Sequence, residues 1–246
     1  MNDERELNGK VALVLGGSRG IGAGVVRRLA ADGARLAFTY AASAESAEAL
    51  AAEVVRDGGA AIAIRADSGE PAQIEAAVAR TLAEFGRLDI LAVNAGILQL
   101  ATIDTYALDD FDRMVAVNVR GVFVALRYAA PHLPAGGRII TIGSNVAERV
   151  GFPGAGVYAM TKAAVAALVR GAAIDLAPRG VTVNNIQPGP TATDMTADHA
   201  GMVLPLVPLG RMGEPREIAG LVSYLAREEA GFVTGASLTI DGGYSA

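Results

Sequence analysis

Apolar residues run along this chain in two rhythms. Short continuous runs recur: KVALVLG (10–16), ARLAFTY (34–40), AAIAIRAD (60–67), LDILAVNAG (88–96), GRIITIGS (137–144), VTVNNIQPG (181–189) and ASLTIDGG (236–243). Between them lie longer segments with helical spacing, at 20–31, 43–57, 70–85, 108–131, 157–177 and 214–227. DGGA stops the second of these and PRG the fifth. Strands apolar throughout their length are covered on both faces, and helices between them make the sheet parallel. The pattern therefore predicts an α/β fold, a doubly wound parallel sheet of seven strands. No linker, low-complexity tract or short repeat interrupts it, so residues 1–246 form one expected domain.

Two of the helices, 108–131 and 157–177, are apolar around most of their circumference. A surface helix normally keeps one wet face. These are expected to pack on the sheet and on a second copy of the chain as well, since most soluble oligomers are symmetric homo-oligomers.

Composition narrows the function. The chain is 52% hydrophobic and 19% charged, with a formal net charge of −5. That is enough apolar matter for a large core, and the wrong sign for sequence-independent binding of nucleic acid. There are no cysteines, which removes disulfide and thiolate chemistry and fits a cytoplasmic location. Two histidines make a structural zinc site improbable, so no metal is expected. The start, MNDERELNGK, lacks the apolar stretch of a signal peptide, and no run of about 18 uninterrupted apolar residues predicts a membrane span.

The turn after the first strand reads GGSRGIG, with Gly16, Gly20 and Gly22 spaced G-x-x-x-G-x-G. Glycines there let the backbone approach a pyrophosphate, which the following helix N-terminus receives with its free N–H groups. No G-K-[ST] follows, so the turn is not a P-loop. The second strand ends FTYAAS, with Tyr40 where an NAD-binding acid would stand and no carboxylate before Glu45. Arg19 inside the glycine turn suits a phosphate. NADP(H) is thus the expected dinucleotide, its extra phosphate held by Arg19 with Ser43 and Tyr40. Asp67 and Ser68 fall at the carboxyl edge of the third strand, and Asn94, Ala95 and Gly96 at that of the fourth. Asp67 is placed to accept from the adenine amine, and Asn94 and Gly96 to shape the floor near the adenosine ribose. Taken singly, each is equally explained as turn chemistry.

In VYAMTKAAV, Tyr158 and Lys162 stand one helical turn apart, about 6 Å in rise. Lys10 is the only other lysine, all remaining cationic side chains being Arg. A free phenol has a pKa of about 10, and a neighbouring ammonium favours the phenolate. The pair is expected to act as a tunable proton donor. Ser144, ending the fifth strand, is placed to hold a substrate carbonyl oxygen beside the phenol. Asn118 is an amide within an apolar helix and needs partners; a water chain to Lys162 is one, and a role in bending or packing the helix is the other. After the sixth strand, Pro188 and Gly189 form a rigid turn, from which Thr191 and Thr193 are placed to reach the nicotinamide amide and the pyrophosphate.

In order and approximate spacing, GGSRGIG, Asn94-Ala95-Gly96, Asn118, Ser144, Tyr158 with Lys162, and Pro188-Gly189 resemble the short-chain dehydrogenase/reductase family. So does the ending GRMGEPREIAGLVSYLA…TGASLTIDGG, and the likeness covers essentially the whole chain. The resemblance implies a Rossmann fold, a homotetramer built through the two apolar helices, and hydride transfer. It adds Ser18 and Ile21 to the cofactor-binding set. It implies Tyr158 as acid/base, Lys162 as its tuner, Ser144 as carbonyl anchor and Asn118 as support of a proton relay. SRGIG without an acid after the second strand is similar to the NADPH-dependent 3-oxoacyl-carrier-protein reductase branch. Two departures stand out. Leu15 occupies a position where the family often has Thr, which loses a hydroxyl that braces the turn and predicts slightly looser cofactor binding. The Ser144–Tyr158 interval is one residue longer than the commonest spacing, which leaves the aim of Ser144 to the intervening loop.

The apolar stretch TADHAGMVLPLVPLGRM (196–212) reads as part of a substrate lid at about 191–212. An apolar lid favours ketones, acyl thioesters or hydroxylated rings. His199, within it, is placed to touch substrate or, as the plainer reading, to be a solvated loop residue. Two other functions stay open: an NAD-dependent secondary-alcohol dehydrogenase, and a non-catalytic regulator that binds a cyclic dinucleotide, in which Arg19 and Arg149 would serve phosphates.

Overall fold

The structure, a computed structural model, describes residues 6–246; the polar start that bears on the signal-peptide expectation lies partly outside them. Its elements run β1 (Val11–Leu15), α1 (Gly20–Ala31), β2 (Arg35–Tyr40), α2 (Ala44–Arg56), β3 (Ala61–Arg65), α3 (Pro71–Phe85) and β4 (Ile90–Val93). Then come α4 (Leu108–Val115), a π turn (Ala116–Arg120), α5 (Gly121–Ala129), β5 (Arg138–Ile142), α6 (Gly156–Leu176), β6 (Thr182–Pro188), α7 (Ala200–Val203), α8 (Pro215–Ala226) and β7 (Ser237–Ile240).

The seven strands pair in parallel in the order β3-β2-β1-β4-β5-β6-β7. Alternate residues of each strand enter opposite cores. Ala12 and Val14 of β1 join Val25 and Leu29 of α1, Leu50 of α2 and Val222 of α8 on one face. Leu13 and Leu15 join Ile74 of α3, Leu126 of α5 and Val169 of α6 on the other. Helices on both faces bury the inner strands β1, β4, β5 and β6 at every position. Strand order reverses between β1 and β4, and their carboxyl ends open the crevice where such sheets bind ligands.

The strands are shorter than the apolar runs suggest. The run 88–96, for instance, pairs only over Ile90–Val93. Its remainder leaves the sheet as loop and borders the crevice.

The predicted helix 108–131 is corrected in one respect: it is not continuously α-helical. Ala116–Arg120 winds as a π turn, and Asn118 sits in it, 1% exposed. Such turns occur mostly as single-turn interruptions, frequently at functional sites. By length and composition, the stretch Gly156–Arg179 is apolar enough to cross a membrane, with mean hydropathy 1.4, which a count of uninterrupted apolar residues passes over. In the fold, 44% of that window is buried inside the protein, where Val165, Val169 and Ala173 pack on the sheet. The opposite side of α6 leaves Met160 and Ile174 exposed, and α5 leaves Phe123 exposed.

Candidate active site

A single cavity of about 340 Å³, within the size range of small-molecule sites, runs along the carboxyl edge of the sheet from the glycine turn to Tyr158. Every residue placed in the site from the sequence borders it except Asn118, which supports it from behind, and Gly22, which packs beneath the turn.

The glycine turn is built for close approach. Gly16 and Gly20 have φ of +74° and +53°, in the left-handed region that favours glycine. A β-carbon at Gly22 would come within 2.0 Å of the Gly16 carbonyl oxygen. Asn94 Nδ2 donates to that same oxygen at 2.7 Å, so the amide ties β4 to the turn across the point of strand reversal. Asn94 still borders the cavity, as the ribose-floor expectation has it, with one donor of its amide tied to the protein's own backbone. Leu15 is buried in the core, and the hydroxyl it lacks is supplied by Thr39 Oγ1, which accepts from Gly16 N at 2.9 Å. Thr39 thus braces the turn where Leu15 has no hydroxyl to do so. Its partner is 23 residues away, so no local spacing marks Thr39.

At the end beyond β2, Arg19 and Ser43 border the cavity as the residues that precede α1 and α2, and neither side chain caps its own helix. Arg19 has only a loose, solvent-exposed contact with Asp194, 3.9 Å away. Asp67 is otherwise engaged. It accepts from Gly69 N at 2.8 Å and from Arg113 Nη2 at 2.7 Å. Burial works to raise its carboxyl, but the Gly69 N–H and the Arg113 guanidinium outweigh it and hold the group below its ordinary range. Asp67 thus borders the cavity with its carboxylate shared by Arg113, a partner that no local spacing announces.

At the other end, Ser144 and Tyr158 face the cavity together. A 3₁₀ turn, Asn145–Ala147, absorbs part of the long interval between them, and Ser144 caps it by accepting from Val146 N. Tyr158 keeps part of its surface open to the cavity. Burial raises the phenol to about 12, a value that already includes the opposing pull of Ser144. Lys162 shares the helix face, with Nζ 5.6 Å from the Tyr158 ring centre, but it donates to the Ile142 carbonyl at 2.9 Å. Burial lowers its own amine to about 8. Lys162 thus stands in its foreseen place beside Tyr158, with its amine held at the end of β5, and Ser144 acts on the phenol next to it.

Asn118 is held by its neighbours. Its Oδ1 accepts from Ile97 N at 2.9 Å, and its Nδ2 donates to Ile97 O at 2.9 Å and Thr161 Oγ1 at 3.2 Å. Thr161 in turn donates to the Tyr158 carbonyl at 2.7 Å. The side-chain amide thus has protein partners on both its oxygen and its nitrogen. It fastens the π turn, the loop after β4 and the turn of α6 that carries Tyr158. A β-carbon at Gly96 would lie 3.4 Å from both Asn118 Oδ1 and Lys162 Nζ.

Pro188, Gly189, Thr191 and Thr193 border the cavity as expected. Thr191 Oγ1 donates back to Gly189 O at 3.0 Å. The predicted lid leaves and returns at one place: Thr191 pairs with Gly213, and Ala192 N donates to Gly213 O at 2.8 Å. Within it, Met195, His199 and Val203 line the cavity, so His199 is more than a solvated loop residue. Two further liners, Phe152 and Tyr244, come from loops that carry no periodic signal.

The family model described as Enoyl-(Acyl carrier protein) reductase matches residues 16–245. Among solved structures, a short-chain dehydrogenase/reductase from Serratia marcescens is 56% identical, covers 98% of this chain and all of its own (100%), and superposes with a TM-score of 0.96. A short-chain dehydrogenase from Burkholderia cenocepacia, solved in complex with NADP, is 47% identical over 98% of this chain and 100% of its own, with a TM-score of 0.96. A cyclic-di-GMP-binding biofilm dispersal mediator protein from Escherichia coli is 43% identical over 97% of this chain and 98% of its length.

Proposed function

Because this chain belongs to the short-chain dehydrogenase/reductase family of oxidoreductases, we propose that it reduces the carbonyl of a ketone or 3-oxoacyl compound to a secondary alcohol with NADPH, and runs the reverse reaction with NADP. The observation that carries this reading is one continuous cavity joining a glycine turn, a loosely held Arg19 with Ser43, and the Ser144–Tyr158 pair.

The cofactor fits the residues present. Gly22 leaves no room for even a β-carbon, and Gly16 and Gly20 take a backbone form that favours glycine. The free N–H groups at the start of α1 suit a pyrophosphate. Arg19 and Ser43 would hold the 2′-phosphate, where an acid would repel it. Ser18, Ile21, Tyr40, Ser68, Ala95, Gly96, Pro188, Gly189, Thr191 and Thr193 would complete the walls. When bound, NADPH supplies the hydride.

The chain's own part is to hold the carbonyl oxygen and give it a proton. Ser144 donates to that oxygen, and the Tyr158 hydroxyl transfers its proton as negative charge develops there. A phenol held near 12 stays protonated at neutral pH, which suits the reducing direction. Lys162 and Asn118 act as positioning residues behind Tyr158. The lid supplies apolar cover. Homotetramer assembly through the exposed faces of α5 and α6, and a cytoplasmic location, complete the proposal; the apolar Phe123, Met160 and Ile174 support the first.

The Escherichia coli relative favours a second reading, a cyclic dinucleotide regulator. Against it, Arg149 is spent on the protein, donating to the Tyr244 carbonyl. Loss of NADPH absorbance over a panel of ketones and 3-oxo esters tests the proposal, with NADH in parallel. Turnover with NADPH preferred is the expected result. Tight binding of cyclic di-GMP with no turnover of any carbonyl would replace it with the second reading, and a clear NADH preference would replace NADP(H) with NAD.

A further inference from the structure

The turn after β3 is gripped by the helical segment that begins with α4. Arg113 donates through Nη2 to both oxygens of the Asp67 carboxylate, at 2.7 Å and 3.0 Å. Arg120 Nη2 donates to the Gly69 carbonyl at 2.9 Å. A β-carbon at Gly121 would stand 2.3 Å from the Ser68 carbonyl oxygen, and one at Gly69 would stand 2.3 Å from Arg113 Nη1. The two glycines thus leave the room in which helix and turn close together. Asp67, Ser68 and Arg113 border the cavity, as do the apolar Ala66 and Val117.

An ionised carboxylate offers about four acceptor positions. On Asp67, Gly69 N and Arg113 Nη2 occupy those of Oδ1, and Arg113 Nη2 occupies one of Oδ2. A position on Oδ2 remains. The bond from Gly69 N pins Oδ1 alone, and rotation of the group would still swing Oδ2. The guanidinium fixes that second oxygen and gives the remaining position a direction. The two side chains are 46% and 32% exposed, so the pair itself adds little to stability. What it supplies is a carboxylate held at the cavity wall with an acceptor to spare, and such an acceptor selects a donor.

Resting on the NADP(H) reading with the adenine amine at Asp67, we propose that Arg113 is a positioning residue of the cofactor site, and that the Arg113–Asp67 pair makes this site selective for a purine with an amino group at carbon 6. The pinned Oδ2 accepts from that amine. A 6-oxo purine sets its own oxygen against the carboxylate, and two acceptors meet with no proton between them. Arg113 takes no part in the hydride or proton transfer.

The test titrates the fluorescence of NADPH, and of the reduced hypoxanthine nucleotide that carries an oxygen in place of the 6-amino group, with the wild type, Arg113→Met and Arg113→Lys. It needs no carbonyl substrate. The wild type is expected to bind NADPH at least about tenfold more tightly than the hypoxanthine nucleotide. In Arg113→Met that preference is expected to shrink to about one- to threefold, and in Arg113→Lys, which keeps a cation and its donors, part of it returns. Loss of a positive charge near the phosphates falls on both nucleotides alike and cancels in the ratio. A preference unchanged in Arg113→Met overturns the inference, because a role in packing alone would weaken the two nucleotides together. A wild type that binds both equally overturns it too. A wild type that binds neither nucleotide overturns the NADP(H) reading beneath it instead.

Discussion

Thr39 Oγ1 accepts a hydrogen bond from Gly16 N at 2.9 Å, and so the second strand braces the turn that begins at the end of the first. Leu15, at the place where a bracing hydroxyl is often found, is free to fill the core. Thr39→Val keeps the shape and removes the acceptor, leaving the Gly16 N–H unpaired. NADPH affinity, read by titration of its fluorescence, is expected to weaken about five- to tenfold, equivalent to roughly 1 kcal/mol. Unchanged affinity would show that the turn holds itself.

Arg19 makes only a loose, exposed contact with Asp194, so its replacement should cost the fold almost nothing. Arg19→Ala is expected to raise the dissociation constant for NADPH at least tenfold and leave that for NADH nearly unchanged. A parallel loss for both nucleotides would mean that Arg19 does not read the extra phosphate.

Tyr158→Phe removes the proton donor, and kcat for ketone reduction is expected to fall by about 10²–10⁴ while NADPH still binds. Ser144→Ala removes the bond that draws the phenol down. In the alcohol-oxidising direction, where the phenolate is the base, its pH–rate profile should shift to higher pH. A Ser144→Ala profile that overlays the wild type would remove Ser144 from the tuning.

Asn118→Ala would leave the Ile97 N–H and carbonyl without their side-chain partner. A loss of about 1–3 kcal/mol in urea unfolding is expected, with a lower kcat because the turn carrying Tyr158 loses its tether. Full activity in a destabilised variant would separate the two effects and deny Asn118 a positioning role.

Burial lowers Lys162 to about 8, whereas the unfolded chain holds that proton up to its ordinary value of 10.5. Between those limits the unfolded state binds more protons, so this group adds stability as pH rises, and below about 8 its burial cost is fully present. Lys162→Met should therefore be more stable than the wild type at pH 7, by on the order of 1–3 kcal/mol, and inactive. The gap should close as pH approaches about 10. Denaturant melts at the two pH values check it, and a gap independent of pH would show that the amine is not desolvated.

The sheet and its helices could be read from the chain because strands covered on both faces leave continuous apolar runs, and turns leave Gly and Pro between them. The glycine turn and the Tyr158–Lys162 pair could be read because their chemistry is local. What stayed hidden depends on contacts distant in sequence. The π turn exists where Asn118 meets Ile97 and Thr161, and no local spacing announces it. Lys162 has the foreseen position but points at a carbonyl 20 residues back in the chain. Asp67 had the right place and an unforeseen companion in Arg113, 46 residues on. Tyr244 reaches the site only because the sheet's edge strand β7 delivers it there.

The π turn also sets the rotational phase of all that follows it. One surplus residue advances a helix by about 100°, so Val122 and Leu126 meet the sheet only because Ala116–Arg120 is overfull. A chain lacking one residue there would wind back to an ordinary coil. The damage would not stay local: α5 would roll as a rod, presenting a different stripe to the core and another to the outside. A one-codon deletion in this stretch would thus act as a gear slip, felt together in the active site, the interior and the outer face.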